Sequence, residues 1–203
     1  MLPVFYPIFD CADWFERLLP LGVRLAQLRV KERPPAAVKR EIRRARDLAR
    51  RYHCQLVVND YWELAIELGC DFVHLGQTDV ESADLAAVRR AGLRLGLSTH
   101  SAAERDAALA LAPDYIALGP VYPTTLKAMP WPAQGLARVT EWKQAVGATP
   151  LVAIGGMTLE RAQGALDAGA DAVSLVTDIS RHADPAQRVR QWVAWDKGQR
   201  AED

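Results

Sequence analysis

The amino-acid sequence predicts a single α/β domain, a (β/α)8 TIM barrel with short loops. Short apolar runs alternate with longer helical patterns eight times along the 203 residues, which is typical of βα units around a parallel sheet. The most unusual polar residues follow these runs, at the end of the barrel where such enzymes keep their active sites. An open doubly wound sheet is the alternative, but no GxGxxG motif follows the first strand. We assign residues 1–195 to the barrel and residues 196–203 to a polar C-terminal tail.

Each predicted strand is a short apolar or β-branched run, and a helical pattern follows each one. The eight predicted strands are Val4–Phe9, Arg24–Val30, Gln55–Val58, Phe72–Leu75, Leu93–Leu97, Tyr115–Leu118, Leu151–Ile154 and Ala172–Val176. The segment Ala36–Arg51 shows the helical pattern, with Val38, Ile42, Ala45 and Ala49 on one face. Arginines on its other face could bind RNA, but no aromatic residues interleave with them, which favours a simple solvated face.

Composition excludes several classes of partner. Lys plus Arg and Asp plus Glu both number 25, so no global field attracts nucleic acid or an anionic membrane. The three cysteines lack CxxC spacing, which argues against a disulfide framework or a zinc site and fits a reducing cytoplasm. We find no secretory signal pattern and no apolar run long enough to span a bilayer. Small-molecule substrates are therefore the expected partners.

The second predicted strand carries polar residues where a buried strand should have none. Gln27, Arg29 and Lys31 alternate with apolar residues, so we expect all three on one face and converging on one point. An edge strand with a solvated face is the simpler alternative. Charged residues are rarely buried without a partner, however, and this favours a small anionic ligand.

Polar groups also follow the remaining strands. They are Asn59-Asp60, Gly76-Gln77-Thr78-Asp79, Ser98-Thr99-His100, Pro120 to Lys127, Gly155-Gly156 and Val176-Thr177. Asp60 and Asp79 come from neighbouring strands, so their carboxylates could share one Mg2+, although each could also be a helix cap. Mg2+ is usually held by one or two carboxylates plus phosphate oxygens. Together with Arg29, Lys31 and Lys127, this pair predicts a diphosphate site.

A second anion site is expected after strands seven and eight, where barrels often bind a phosphate. Gly155-Gly156 lets backbone N–H groups approach an anion ahead of a helix. No pair of nucleophile and base stands out, because Ser98 and His100 have no obvious third partner. We therefore assign His100 an auxiliary or structural role, and a reaction in which the leaving group departs first becomes attractive.

Six motifs occur in order along the chain. They are Gln27-Leu28-Arg29-Val30-Lys31, Asn59-Asp60, Val73-His74-Leu75-Gly76-Gln77-Thr78-Asp79, Ser98-Thr99-His100, Gly119-Pro120-Val121-Tyr122-Pro123-Thr124 with Lys127, and Ala153-Ile154-Gly155-Gly156. This order resembles the thiamine-phosphate synthase family, from about the first strand to the eighth, and is closest to its proteobacterial form. The resemblance implies a TIM barrel that joins 4-amino-2-methyl-5-hydroxymethylpyrimidine diphosphate to a thiazole phosphate and releases diphosphate with the help of Mg2+.

The resemblance also implies roles for individual residues. The pyrimidine diphosphate would contact Gln27, Arg29, Lys31, Asn59, Ser98 and Lys127. The catalytic groups among these would be Arg29, Lys31, Ser98 and Lys127. The metal ligands would be Asp60 and Asp79. The thiazole phosphate would contact Thr124, Thr125, Leu126, Gly156, Val176 and Thr177.

One position departs from the family pattern. The family loop reads Pro-Thr-x-Thr-Lys, whereas this chain has Leu126 in place of the second threonine. We expect this to weaken the binding of thiazole phosphate by about 1 kcal/mol, the usual contribution of one neutral hydrogen bond.

Three other functions remain open at this point. A thiazole tautomerase on the same fold would need His100 as a proton carrier but not the metal pair. A non-catalytic protein that binds thiamine precursors would fit the altered Leu126 position. A phosphosugar epimerase or aldolase would need a Schiff-base lysine or a paired acid and base.

Overall fold

The structure is a computed structural model that describes residues 2–124 and 131–201. Eight parallel strands form a closed barrel in chain order, and the first strand pairs with the eighth. The strands are β1 Phe5–Phe9, β2 Leu25–Leu28, β3 Gln55–Asn59, β4 Phe72–Leu75, β5 Arg94–Thr99, β6 Tyr115–Leu118, β7 Leu151–Ile154 and β8 Ala172–Leu175. The predicted TIM barrel is confirmed.

Helices follow every strand and cover the outside of the barrel. They are α1 Ala12–Leu18, α2 Pro35–Arg51, α3 Trp62–Glu67, α4 Gln77–Ser82, α5 Leu85–Arg90, α6 Ala102–Ala110, α7 Gly135–Val146, α8 Leu159–Asp167, α9 Thr177–Ser180 and α10 Pro185–Ala201. A short 3-10 helix, Leu19–Leu21, follows α1. No helix in the part of the chain that the structure describes is long and apolar enough to cross a membrane.

Side-chain alternation along the strands separates two apolar layers. One layer fills the interior of the barrel, and its buried members are Tyr6, Leu25, Val57, Phe72, Tyr115, Ala117, Val152 and Ala172. The other layer lies between strands and helices; in β2 it contains Ala26 and Leu28. The parity expected for β2 is therefore correct, and Leu25 and Gln27 point into the barrel interior.

Helix α2 shows how the helices dock. Its predicted face of Val38, Ile42, Ala45 and Ala49 is buried. On the other side, the guanidinium of Arg44 forms ion pairs with two acidic residues of α1. These ion pairs join α2 to α1, so at least one arginine of the arginine-rich face contributes to helix packing.

The last helix extends past the expected boundary at residue 196. Asp196 is buried rather than in a polar tail, and its carboxylate accepts a hydrogen bond from the Phe5 N–H at 3.4 Å. One turn earlier, the Trp192 ring stacks on the Phe5 ring with centroids 5.2 Å apart. Helix α10 continues to Ala201, so the expected polar tail begins within this helix, at a residue that packs against β1.

Gly96 on β5 makes room for the interior residue Tyr115. A Cβ atom at this position would overlap the Tyr115 ring, which is fully buried. We predict that Gly96→Ala lowers the free energy of unfolding by about 1–3 kcal/mol, the usual cost of overpacking a core. Urea denaturation measures the change.

Gly198→Ala is the matched control, because a Cβ there meets nothing within 4 Å and alanine is the better helix former. It should leave stability unchanged or raise it slightly. An equal loss in both variants would show that the tight contact with Tyr115 is not the cause.

Candidate active site

The carboxyl ends of the strands surround an outer cavity of about 470 Å3. Most of the predicted site residues that the structure describes line it, namely Arg29, Lys31, Ser98, Thr124, Gly156, Val176 and Thr177. The predicted contacts Thr125, Leu126 and Lys127 lie outside the described residues. The location of the site at this end of the barrel agrees with the expectation from sequence.

A smaller cavity of about 110 Å3, the inner cavity, lies among interior residues of the barrel. The outer and inner cavities share Arg29 and Ser98 in their walls. The inner cavity also has Gln27 and Asn59 in its wall, two predicted site residues that do not line the outer cavity. A ligand with a flat polar ring and a charged tail could therefore occupy both spaces at once.

The expectation that Gln27, Arg29 and Lys31 converge on one point is wrong. Strand β2 ends at Leu28, two residues before the predicted end, so Arg29 and Lys31 lie in the loop that follows. Gln27 is buried in the interior, Arg29 lines both cavities, and the Lys31 side chain is 46% exposed at the rim. The three side chains therefore lie at different depths in the site.

Asp60 and Asp79 lie beside the outer cavity rather than in its wall. The Asp60 carboxylate forms an ion pair with Lys31, which does line that cavity. Partial burial and the negative charge of Asp60 raise the pKa of Asp79 above its usual range. The two carboxylates are thus close enough to repel each other.

The Asp60 and Asp79 carboxylates suit Mg2+, but they would supply only part of its ligands. Within residues 2–124 and 131–201, no group of three or more His, Cys, Asp or Glu residues could hold a metal ion. Two carboxylates, with the remaining positions left to water and phosphate oxygens, are the usual protein contribution to a magnesium site. Asp60 also has a positive φ of 65°, a strained backbone conformation that is common at functional sites.

A chain of hydrogen bonds crosses the barrel interior beneath Ser98. The Gln27 Nε2 donates to the Tyr6 hydroxyl at 2.8 Å, and the Tyr6 and Tyr115 hydroxyls are 2.9 Å apart. The Tyr115 hydroxyl is 2.7 Å from His74 Nδ1, and His74 Nε2 is 2.8 Å from Ser98 Oγ. Ser98 therefore pairs with His74, a partner that the sequence did not indicate.

Burial controls the protonation of this chain. It lowers the pKa of His74 to about 4 and raises the pKa values of Tyr6 and Tyr115, so all three side chains are neutral at pH 7. Sequence reasoning did not assign a role to these residues. One feature of the sequence could have indicated them. His74 is a polar side chain in the middle of a short strand with apolar neighbours.

Two buried polar atoms have no hydrogen-bond partner among the described residues. They are Asn59 Nδ2 and Ser174 Oγ, and both residues line the inner cavity. Buried polar atoms are nearly always hydrogen-bonded in folded proteins. A polar ligand or an ordered water in the inner cavity would satisfy these two atoms.

The Gly155-Gly156 pair lets the loops after β6 and β7 pack closely. A Cβ on Gly155 would lie 2.6 Å from the Pro120 Cα, and one on Gly156 would lie 2.5 Å from the Pro123 carbonyl oxygen. Both glycines have positive φ values, 96° and 63°, which favour glycine. Across the outer cavity, β8 ends at Leu175, one residue before the predicted end, and Thr177 begins the short helix α9.

His100 is held at the wall of the outer cavity. Its Nδ1 lies 3.0 Å from the Glu104 carboxylate, and its ring stacks on Trp131 with centroids 6.1 Å apart. These contacts fix the orientation of the imidazole.

Comparisons with known proteins agree on one family. Residues 5–179 match the family model described as thiamine monophosphate synthase. A thiamine-phosphate synthase from Rhizobium etli is 59% identical over 193 residues, covering 95% of each chain. One from Klebsiella pneumoniae is 49% identical over 179 residues, covering 88% of this chain and 85% of the relative.

Solved structures support the same fold. A thiamine phosphate pyrophosphorylase from Pyrococcus furiosus superposes with a TM-score of 0.84 at 24% identity, covering 97% of this chain and 96% of that one. A 3-hexulose-6-phosphate synthase from Salmonella typhimurium has a TM-score of 0.69 at 14% identity, covering 96% and 98%. At these identities the likeness concerns the fold. The family match and the sequence identity to curated relatives show that the chain belongs to the thiamine-phosphate synthase family of transferases.

Proposed function

We propose that the protein joins 4-amino-2-methyl-5-hydroxymethylpyrimidine diphosphate to a thiazole phosphate, and that it forms thiamine phosphate and diphosphate with bound Mg2+. This proposal rests on the two neighbouring cavities, which share Arg29 and Ser98 in their walls. The inner cavity offers unpaired polar atoms to a flat heterocycle, and the outer cavity above it has Arg29 and Lys31 in its wall.

The two substrates can be assigned to different parts of the site. The pyrimidine ring would enter the inner cavity beside Asn59 and Gln27. Its diphosphate would extend past Ser98 toward Arg29 and Lys31, where the predicted contact Lys127 would join them. The thiazole phosphate would bind on the side of Gly156 and Thr177, close to Thr124. Thr125 and Leu126 remain predicted contacts on that side.

The proposed reaction needs no general base. The bond between the methylene carbon and the diphosphate oxygen breaks first, and the electron pair leaves with the diphosphate. The thiazole nitrogen then donates its lone pair to the pyrimidinylmethyl cation and forms the new C–N bond. Arg29 and Lys31 would stabilise charge on the departing diphosphate, and the inner cavity would keep the ring oriented.

Asp60 and Asp79 are the residues that would hold Mg2+. When bound, the ion would neutralise part of the charge on the diphosphate oxygens. The Lys31 ammonium, now paired with Asp60, keeps that carboxylate in place at the rim. The three free cysteines fit the cytoplasmic location expected from the sequence.

A thiazole tautomerase is the second candidate, and one observation favours it. His100 lines the outer cavity, and its Nδ1 is tied to the Glu104 carboxylate, which would suit a proton carrier. This reaction would not need the acidic pair. Metal dependence therefore distinguishes the two candidates.

Asp60→Asn tests the synthase directly. Asparagine also tolerates a positive φ, so the backbone at this position should be preserved. We predict Mg2+-dependent formation of thiamine phosphate from the two purified substrates, loss of turnover in EDTA, and a fall of about 100-fold in kcat/KM for Asp60→Asn, by analogy with the loss of one transition-state contact.

Asp106→Asn is the matched control, because this carboxylate is 65% exposed on α6 and pairs only with its neighbour Arg105 among the ion pairs of the described residues. Its turnover should equal that of the wild-type protein. Turnover that survives both EDTA and Asp60→Asn would contradict the proposed mechanism.

The raised pKa of Asp79 gives a prediction about stability and pH. A carboxyl group whose pKa is higher in the folded state destabilises the folded protein once it ionises, above that pKa. Asp79→Asn should therefore raise the free energy of unfolding of the metal-free protein at pH 7. The gain should shrink as the pH falls through the raised pKa, because protonation removes the same repulsion.

Urea denaturation between pH 7 and pH 4 measures this effect, with and without Mg2+. Saturating Mg2+ should stabilise the wild-type protein more than the variant, because the variant lacks one ligand. A lower stability of Asp79→Asn at pH 7 without metal would refute the repulsion between the two carboxylates.

A further inference from the structure

The hydrogen-bond chain from Gln27 to Ser98 has a direction, which follows from counting its protons. Gln27 Nε2 is a donor, so the Tyr6 oxygen accepts at that end. The Tyr6 hydroxyl has one proton of its own, and its other hydrogen-bond partner among the described residues is the Tyr115 hydroxyl. Tyr6 therefore donates to Tyr115.

The same count continues toward the cavities. Since Tyr115 accepts from Tyr6, its own proton goes to His74 Nδ1 at 2.7 Å. The Nδ1 atom must then be an acceptor, so the proton of a neutral imidazole is on Nε2. Nε2–H donates to Ser98 Oγ at 2.8 Å.

The opposite direction leaves a buried proton unused. If His74 donated to Tyr115 and Tyr115 donated to Tyr6, the Tyr6 hydroxyl would receive two hydrogen bonds. Its own proton would then have no acceptor among the described residues. Tyr6 is only 1% exposed and borders the inner cavity, so this direction would need a water bound there, whereas the first direction gives every proton a partner within the hydrogen-bond chain. An unsatisfied buried donor is unfavourable, which selects the first direction.

Ser98 is the end of the chain that meets the ligand space. It accepts from His74, so the proton of its hydroxyl is left to point away from the chain. Its side chain lines both the inner and the outer cavity. Ser98 thus presents a hydrogen-bond donor to whatever occupies the junction of the two spaces.

We infer that Tyr115 and Tyr6 are positioning residues, which hold His74 as the Nε2–H tautomer and thereby make Ser98 a donor to a lone pair of the bound heterocycle. The identity of that heterocycle, a pyrimidine with ring nitrogens as acceptors, rests on the proposed function. The direction of the hydrogen-bond chain does not rest on the proposed function. It is a property of the protein without ligand.

Nitrogen-15 NMR of labelled histidine tests the tautomer in the ligand-free protein at pH 7. His74→Gln identifies the His74 signals. We expect a pyridine-like Nδ1 and a pyrrole-like Nε2. A pyrrole-like Nδ1, or two protonated nitrogens, would overturn the inference whether or not the protein is a synthase.

Tyr115→Phe tests the positioning role in the active enzyme. It removes the donor to Nδ1, so the two His74 tautomers should interconvert in the NMR spectrum. The KM for the pyrimidine diphosphate should rise about five- to tenfold, as expected for one weakened hydrogen bond, while the KM for the thiazole phosphate stays unchanged. Equal increases in both KM values, or an unchanged tautomer, would contradict the positioning role.

Two further variants keep the test decisive. Tyr52→Phe, which removes the same hydroxyl from a residue at the end of α2, should change neither the tautomer nor either KM.

If Tyr115→Phe does not fold, Tyr6→Phe is measured instead. It removes the donor to Tyr115 and should shift the tautomer in the same direction, and an unchanged tautomer would again overturn the inference. If the wild-type protein shows the expected His74 tautomer but no turnover, the proposed function is rejected. The inferred direction of the hydrogen-bond chain would still stand.

Discussion

The structure depends on one constraint, which is that a closed eight-stranded barrel has an interior that its own side chains must fill. Most of that interior here is apolar, but Tyr6, Tyr115 and His74 place polar atoms within it. These side chains are almost entirely buried, and their polar atoms form hydrogen bonds with one another. The chain of hydrogen bonds from Gln27 to Ser98 achieves this with contacts of 2.7 to 2.9 Å. The upper end of this interior layer forms the floor of the candidate active site.

The rim above this floor, in contrast, carries charged side chains. Arg29 and Lys31 follow β2, and Asp60 follows β3, so neighbouring strand ends place opposite charges together. Asp79 adds a second carboxylate at the start of α4. The division between a neutral, polar interior and a charged rim matches a substrate with a heterocycle at one end and a diphosphate at the other.

The sequence predicted much of this arrangement because local patterns control it. The eight strands, the helix faces such as Val38 to Ala49, and the position of the unusual residues at strand ends all follow from residue spacing. The expected convergence of Gln27, Arg29 and Lys31 was wrong because β2 ends at Leu28, and the end of a strand depends on pairing with its neighbours. The burial of Asp196 was not predicted because it depends on contact with Phe5, nearly the whole chain away. The pairing of Tyr6 with Tyr115 joins residues 109 positions apart, and no local pattern shows it.

In the proposed function, the inner cavity takes the heterocycle and the rim takes the diphosphate. Calorimetric titration of Asn59→Ala with pyrimidine diphosphate and with inorganic diphosphate, both in Mg2+, tests it most directly. The unpaired Asn59 Nδ2 faces the inner cavity, so the variant should bind the pyrimidine diphosphate about five- to tenfold more weakly and inorganic diphosphate as tightly as the wild-type protein does. Equal weakening of both ligands, or of neither, would contradict the division of the site into two spaces.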